Sequence, residues 1–274
     1  MIDLTTRNTR LTELMDDPGC DLVRLRRTYA RFALVNRLVA GWGRAYRAQI
    51  RPRLAAHGTA RGATRGASSP TPLRVLDLGC GGGDVLRHLV ALAHADGFRL
   101  DALGVDPDPR AIAFARTRGP GRAQRSHRPP AAAEPPALRF AQAASAELVA
   151  RGERFDCIIS NHVLHHLGDA ERAVFLADSV RLLDPSGVAI HSDIARGRLA
   201  YLAYAAAAPF VSAGTFLYTD GLRSIRRSFT AAELRQELGS SAPAHGLRWQ
   251  VQQPSRFRLL LIANAPGDSE AAGV

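Results

Sequence analysis

Three histidines lie close together near the middle of the chain, in the run Asn161-His162-Val163-Leu164-His165-His166-Leu167. A histidine side chain changes charge near neutral pH, so His165 or His166 can be a general base; alternatively, one of them only caps or packs the turn. Only His162 and His166 have the i, i+4 spacing of a metal-binding pair, and no third ligand stands in an obvious register with them. Both roles stay open for His165 and His166, and we predict no metal site.

A second group of candidate residues forms the glycine-rich turn Asp77-Leu78-Gly79-Cys80-Gly81-Gly82-Gly83, which ends a short apolar strand. Its alternating glycines can take positive φ and bring the backbone close to a ligand. The acid at its start can accept hydrogen bonds from loop amides or a ligand ammonium, but it would repel a pyrophosphate. The dinucleotide pattern G-x-G-x-x-G fails, because Asp84 or Leu86 stands at its third glycine. The turn thus indicates a small cofactor other than a dinucleotide.

The next apolar segment, Leu100 to Val105, ends in Asp106. This acid follows the glycine turn by about 20 residues, the distance at which α/β nucleotide sites hold ribose hydroxyls. It could instead cap the helix that begins at Pro109, but Asp108 is better placed for that. We therefore predict that Asp106 binds a ribose.

An acid followed by G-x-G-x-G after the first strand resembles the class I S-adenosylmethionine-dependent methyltransferases. The histidine run resembles the N-x-x-L-H-H phrase of many small-molecule members. The segment Phe32-Ala33-Leu34-Val35-Asn36-Arg37-Leu38 is similar to the one that precedes the core in quinone-biosynthesis (ubiquinone/menaquinone) methyltransferases. The resemblance implies an α/β fold: a Rossmann-like, mostly parallel seven-stranded sheet in the order 3-2-1-4-5-7-6, with helices on both faces.

The same resemblance implies that S-adenosylmethionine is the cofactor. Its methyl would pass to a hydroxyl or activated carbon of an apolar small molecule that is phenolic, polyketide or quinone-like. Because that methyl is already activated, the protein mainly aligns the reactants, and it needs a base only if the acceptor keeps its proton. The expected catalytic residues are His165 and His166. The expected cofactor contacts are Asp77, Gly79, Cys80, Gly81, Gly83, Asp106, Pro107, Ser145, Ala146, Asn161 and His162.

Two departures from the family pattern concern cofactor recognition. Ala144 stands where members usually carry an acid near the adenine, so adenine recognition would need backbone groups, Ser145 or Glu147. Phe32-Ala33 stands where the quinone enzymes generally have Tyr-Asp, so only Asn36 and the apolar frame carry over. The missing acid keeps open a second hypothesis, a non-catalytic cofactor-binding partner protein.

The composition predicts one sizeable core with a helical accessory, because the 274 residues are 46% hydrophobic. The net charge of +11 suggests a polyanion partner and keeps an RNA methyltransferase open. However, all 36 basic residues are arginines, dispersed without interleaved aromatics, and no D/N-P-P-Y/F phrase is present, which disfavours nucleic acid. Three cysteines without metal or disulfide spacing and no signal segment predict a cytoplasmic protein, monomeric or dimeric.

The chain divides by pattern into a helical cap at 1–60 and a cofactor-binding methyltransferase domain at 70–274. Helical spacing over 21–55 is broken near Gly41 and Gly43, and loose segments are expected at 56–72, 119–137 and Ala265 to Val274. Later strands are expected at Leu138 to Gln142, Phe155 to Ser160, Gly187 to Ser192, Leu247 to Gln252 and Phe257 to Ala263, with a turn at Gln253-Pro254-Ser255 between the last two.

One segment, Leu199 to Tyr218, runs for twenty residues without a charge. That length could span a bilayer, but its alanine content, Pro209 and Gly214 argue against a membrane helix. We predict instead that 196–230 is a lid over an apolar acceptor. Its aromatic residues would either line the acceptor or simply pack against the core.

Overall fold

The computed structural model describes residues 2–62, 72–118, 137–240, 247 and 249–264. The predicted tail and nearly all of the predicted insertion lie outside these residues, as does most of the predicted link. The first part of that link, residues 56–62, is not loose as expected but completes a helix that ends at Gly62.

Seven strands and ten α-helices make up the regular structure of the described residues. The strands are β1 (Leu73–Leu78), β2 (Leu100–Asp106), β3 (Ala137–Gln142), β4 (Phe155–Asn161), β5 (Leu183–Ile194), β6 (Gln250–Ser255) and β7 (Arg258–Asn264). The helices are α1 (Leu22–Val39), α2 (Trp42–Ala45), α3 (Arg51–Gly62), α4 (Asp84–Ala95), α5 (Pro109–Thr117), α6 (Ser145–Ala150), α7 (Asp169–Arg181), α8 (Arg198–Ala207), α9 (Leu217–Arg227) and α10 (Ala231–Ser240).

All seven strands form one sheet in the order β3-β2-β1-β4-β5-β7-β6. The pairs among the first five are parallel, and β7 runs antiparallel to both β5 and β6. The predicted α/β fold and strand order are therefore confirmed. Since β1 pairs with β2 on one side and with β4 on the other, the strand order reverses there. In open α/β sheets, the ligand crevice lies beyond the carboxyl ends of the strands at such a point.

Helices cover both faces of the sheet, as predicted. Successive residues of a strand point to opposite faces, so Val75 and Ile159 pack on one side of the sheet and Leu76 and Ile158 on the other. The first side is covered by α2 to α5 and the second by α6, α7 and α10. Both faces are therefore buried, which suits the near-continuous apolar runs of the central strands.

The last two strands differ from the expected arrangement. The turn predicted at Gln253-Pro254-Ser255 is wrong, because β6 continues to Ser255 and the chain turns at Arg256 and Phe257 instead. The register of β6 against β7 shifts between Gln252 and Ser255. A proline without an amide hydrogen is tolerated there because β6 is the edge strand and the ladder is already irregular.

The N-terminal helices share the core of the sheet. The expected break occurs at Gly41, which has φ +60°, whereas Gly43 lies within α2. Trp42, Tyr46 and Ile50 are buried against the same cluster as the central strands. The division into a cap and a methyltransferase domain stays a prediction.

The uncharged segment from 199 to 218 folds as α8, a 3-10 turn at Ala208–Phe210 and the start of α9. Among the described residues, we find no helix long and apolar enough to cross a membrane.

Candidate active site

The glycine turn between β1 and α4 has the backbone conformation that its sequence predicts. Gly79, Gly81 and Gly83 have φ of +70°, +52° and +73°. A Cβ atom on Gly79 would lie 2.6 Å from Cγ2 of Val163, whereas one on Gly81 would meet nothing nearer than 3.9 Å, at Tyr29. The turn therefore needs glycine for its conformation throughout, and at Gly81 there is also open space beside the backbone.

Asp77 lies beneath this turn and is 1% exposed. Its Oδ1 atom is buried and has no hydrogen-bond partner among the residues that the structure describes. Burial and the nearby carboxylates of Asp84 and Asp106 hold the pKa of Asp77 well above its ordinary value. An unsatisfied buried acceptor is costly, and a cationic donor such as a ligand ammonium would relieve both problems. The site therefore fits an amino-acid-bearing cofactor such as S-adenosylmethionine. Beside it, Cys80 is 6% exposed, and burial raises its thiol pKa, so it packs rather than reacts.

Asp106 ends β2 and faces the same turn. Its Oδ2 accepts a hydrogen bond from Gly81 N at 2.9 Å, and its Oδ1 accepts one from Asp108 N at 2.9 Å. A carboxylate has about four acceptor positions, so ribose hydroxyls can still be bound. The prediction that Asp108 caps the next helix is confirmed, since its side chain accepts from Arg110 N. Pro107, between the two acids, is exposed.

The polar side chains expected near the adenine already form hydrogen bonds within the protein. Ser145 donates its hydroxyl hydrogen bond to Asp178 of α7 at 2.7 Å, and Glu147 accepts from Ala144 N at 2.9 Å. Ala146 is exposed. The side chains of Ser145 and Glu147 therefore already have partners, which leaves backbone groups as the first choice for holding an adenine at this edge.

Asn161 is the last residue of β4, and His162 follows it. Asn161 Oδ1 accepts from Trp42 Nε1 at 3.0 Å, and Asn161 Nδ2 lies 3.5 Å from Asn36 Oδ1. Asn36 in turn donates to Asp84 Oδ2 at 2.9 Å. This chain of hydrogen bonds ties α1 and α2 to the cofactor turn. The sequence analysis did not identify Trp42. The one feature that could have pointed to it is that tryptophan is a rare residue and here stands next to a glycine.

His162 has φ +61°, in the left-handed region that non-glycine residues rarely adopt. Burial lowers the pKa of its imidazole to about 4, so it is neutral at pH 7. Its amide donates to Ser192 O at 2.8 Å, which fixes the strained turn at the end of β4. Strain of this kind concentrates at functional sites.

The structure separates the roles available to His165 and His166. His165 is 2% exposed, and both of its ring nitrogens face carboxylates: Nδ1 lies 2.7 Å from Asp193 Oδ1, and Nε2 lies 3.2 Å from Glu13 Oε1. Despite burial, these two carboxylates raise its pKa to about 10. It is thus an imidazolium at neutral pH and has no lone pair with which to take a proton from a substrate.

His166 is only partly buried and holds a different set of partners. Its Nδ1 lies 3.1 Å from Asp16 Oδ2, whereas its Nε2 lies 3.6 Å from Glu13 Oε1, beyond hydrogen-bonding distance. Sequence reasoning missed Glu13 and Asp16, because nothing local links the N-terminus to this turn.

Glu13, His165 and His166 also form a group that could hold a metal ion, with one ligand atom of each within 4.8 Å of the others. A metal would need a lone pair on His165 Nε2. In the arrangement described here that atom instead donates to Glu13. The absence of a metal site stays a prediction.

Helix α9 contacts the turn that holds His165 and His166, and α8 packs against α9. Their aromatic residues divide into two groups: Tyr204 bonds through its hydroxyl to Leu217 O and Phe216 is 4% exposed, whereas Phe210 is 87% exposed and Tyr218 is 40% exposed. Only part of the expected aromatic wall is therefore packed.

Comparisons with known proteins agree with this geometry. A family model described as "Methyltransferase domain" matches residues 46–254. The ubiquinone biosynthesis O-methyltransferase of Azorhizobium caulinodans is 28% identical over 62% of this chain and 58% of its own length. That of Rhizobium etli is 25% identical over 71% of this chain and 73% of its own.

Among solved structures, the plantazolicin methyltransferase BpumL in complex with a triazolic desmethylPZN analog and SAH is similar in fold, with a TM-score of 0.50 and 13% identity over 89% of this chain and 96% of that one. Because the family model covers most of its length, the chain belongs to the methyltransferase domain family.

Proposed function

We propose that this protein transfers a methyl group from S-adenosylmethionine to a hydroxyl or activated carbon of an apolar small molecule, with a phenolic, polyketide or quinone-like acceptor. The observation that carries the proposal is the unpartnered buried oxygen of Asp77 beneath three glycines at positive φ, with Asp106 at the end of the adjoining strand. The curated relatives named for ubiquinone biosynthesis support an oxygen acceptor on a quinone-like ring.

In this proposal, the cofactor supplies a methyl that is already activated as part of a sulfonium. Asp77 and the turn bind its amino-acid end, Asp106 holds its ribose, and Asn161 and His162 line the crevice opposite. His166 accepts the proton of an acceptor hydroxyl at Nε2, since His165 is already protonated by its two carboxylates. Helices α8 and α9 cover the acceptor and exclude water.

The proposal is tested in two steps. Isothermal titration with S-adenosylhomocysteine should show one site per chain, and labelled S-adenosylmethionine should then transfer its methyl to at least one member of a panel of phenols, hydroxyquinones and phenolic polyketides. A chain that binds neither cofactor nor product contradicts the whole proposal. Binding without transfer to any acceptor supports the non-catalytic alternative, and transfer to tRNA in place of the panel supports an RNA substrate.

The matched control is Gly152→Ala. Gly152 also has positive φ, +67°, but it lies in the turn after α6, and a Cβ there meets nothing within 4 Å. Gly79→Ala should abolish binding of the product because the new Cβ collides with Val163. Gly152→Ala should bind it normally at a similar cost in backbone strain.

A further inference from the structure

An N-terminal segment, residues 12–17, reaches across the molecule to the histidine pair. It lies outside the matched family region of 46–254, so the family model assigns it no role. We propose that Glu13 and Asp16 of this segment are positioning residues for His166, which fix its proton on Nδ1 and stabilise the cation formed when Nε2 takes the acceptor's proton. This inference rests on the proposed function and gives that site its proton-accepting machinery.

The segment is held firmly enough to position a side chain. Asp220 of α9 accepts hydrogen bonds from Leu14 N at 2.8 Å and Met15 N at 3.0 Å. Arg223 of the same helix donates to Thr12 O at 2.6 Å. From α5, Arg110 donates to Met15 O at 3.2 Å and to Asp17 O at 2.8 Å. Two separate helices therefore anchor the 3-10 turn at Leu14–Asp16.

Asp16 meets His166 on the nitrogen that faces away from Glu13. A carboxylate 3.1 Å from Nδ1 accepts a hydrogen bond from that atom and keeps the proton there, which leaves the Nε2 lone pair free. The Ser-His-Asp triads use a carboxylate in this way to set the tautomer and stabilise the imidazolium. Arg227 holds the arrangement from α9, with Nη1 3.7 Å from Asp16 Oδ2 and Nη2 donating to His166 O.

Glu13 supplies the negative charge on the side where the proton arrives. It is 5% exposed, and its Oε1 accepts from Ser224 Oγ at 2.6 Å as well as from His165. The nearby histidines hold its pKa at about 2, so it stays ionised although it is buried. Oε1 is thereby fixed 3.6 Å from His166 Nε2, close enough to attract a cation there but too far to occupy the lone pair.

The proton and electron balance is complete without another reagent. The acceptor O–H proton moves to His166 Nε2, the acceptor oxygen bonds the methyl carbon, and the carbon–sulfur bond breaks to leave the neutral thioether. The resulting imidazolium then lies between Asp16 and Glu13. The other charged groups around it are the His165 ring, whose centroid is 4.3 Å away, Arg227, and Asp106.

The test compares Asp16→Asn and Glu13→Gln with wild type on the acceptor found in the panel. We expect Asp16→Asn to lower kcat by roughly 10- to 100-fold while leaving the affinity for S-adenosylhomocysteine unchanged. Asp17→Asn is the matched control, since its carboxylate accepts a hydrogen bond from the nearby Gly19 N.

A second readout needs no acceptor. Nitrogen-15 NMR of labelled histidine, with His166 assigned by its Ala variant, should show the neutral ring protonated on Nδ1 in wild type and a loss of that preference in Asp16→Asn. A ring that is protonated on Nε2 in wild type, or that Asp16→Asn leaves unaffected, overturns the inference even if turnover falls. Failure of the proposed function is distinct, because it appears as missing product binding or missing transfer in wild type.

A metal ion at Glu13, His165 and His166 is the competing explanation of the same cluster. Treatment with EDTA followed by gel filtration should leave methyl transfer unchanged. If activity is lost and Zn²⁺ or Mn²⁺ restores it, the histidines are ligands and the positioning role is wrong.

Discussion

At the scale of single residues, the role available to each site residue depends on which of its polar atoms already have hydrogen-bond partners. One carboxylate oxygen of Asp106 accepts a hydrogen bond from Gly81 N and the other accepts one from Asp108 N. Oδ1 of Asp77, in contrast, has no hydrogen-bond partner among the described residues. Both ring nitrogens of His165 face carboxylates within hydrogen-bonding distance, whereas His166 Nε2 lies 3.6 Å from Glu13 Oε1, beyond that distance. These differences assign separate roles to residues that look alike in sequence, such as two adjacent histidines.

The ribose role of Asp106 is tested by Asp106→Asn. An amide is a weaker acceptor than a carboxylate, and hydrogen bonds to a charged group contribute about 1.5–3 kcal/mol, so the affinity for S-adenosylhomocysteine should fall by roughly 10- to 100-fold. Isothermal titration measures the change. Asp101→Asn is the control, because Asp101 lies at the other end of β2 and pairs with Arg139. An equal loss in both variants would point to damage of the sheet.

The base role is tested by His166→Ala. We expect kcat to fall by about 100-fold, within the range of general-base catalysis, with no loss of product affinity. Steady-state kinetics on the best acceptor and titration with S-adenosylhomocysteine provide the two measurements. Unchanged turnover would exclude His166 as the base, and an equal loss of cofactor affinity would place it in the cofactor site instead.

At the scale of elements, the carboxyl ends of β1, β2 and β4 bring the site together, and α1 and α2 close over it. The parallel register places Asp77 beside Ile159 of β4 and Gly104 of β2. From above, Tyr29 and Phe32 of α1 are packed with Phe114 of α5. The cofactor crevice is thus bounded by three strands below and by the N-terminal helices above.

The contact between helix α2 and strand β4 is tested by Trp42→Phe. This change keeps most of the buried apolar surface but removes the hydrogen bond from Trp42 Nε1 to Asn161 Oδ1. We expect a loss of about 1 kcal/mol in the free energy of unfolding and a several-fold weaker affinity for S-adenosylhomocysteine, since Asn161 lines the crevice. Urea denaturation and titration measure them. An unchanged product affinity would show that Trp42 does not position Asn161.

At the scale of the whole molecule, two buried arginines hold distant parts of the chain together. Arg172 and Arg196 are 1% and 5% exposed. Arg172 pairs with Asp169 and Glu237, and Arg196 donates to the carbonyls of Leu4, Thr5 and Ser228 and pairs with Glu233. These cations hold the N-terminal segment and the helices to the sheet. The absence of a nucleic-acid partner stays a prediction.

The buried charges also predict how stability depends on pH. Asp193 and Glu13 raise the pKa of His165 to about 10 from its ordinary 6.5, so the folded state binds its proton more tightly than the unfolded chain does. This contribution is complete below pH 6.5 and is lost as the pH rises toward 10, with a slope of at most about 1.4 kcal/mol per pH unit.

The difference in unfolding free energy between wild type and His165→Gln should therefore be largest near pH 6 and shrink by pH 9.5, as measured by urea denaturation. His88→Gln is the control of opposite sign. Burial lowers the pKa of His88, so wild type should lose stability relative to that variant as the pH falls through 6.5. A His165→Gln difference that stays constant with pH would mean that His165 is not the charged partner of these carboxylates.

The amino-acid sequence by itself determined the sheet, its strand order through the family resemblance, and the cofactor turn with Asp77 and Asp106. These features are local: a strand, a glycine turn and a helix specify their own backbone, and an acid that ends the adjoining strand falls at the same edge of a parallel sheet. The roles of the two histidines were left open, because adjacent identical residues have the same local pattern.

Only the tertiary structure decided between those histidines and brought Glu13, Asp16 and Trp42 to the site. The bond between His166 and Asp16 joins residues 150 positions apart, and the partners of Asn161 and His165 are also far away in the chain. Hydrophobic periodicity records which face of an element is buried but not which distant element covers it. The charge state of a buried group depends on which distant residues pack against it. The chemistry at the end of β4 is therefore a property of the folded molecule.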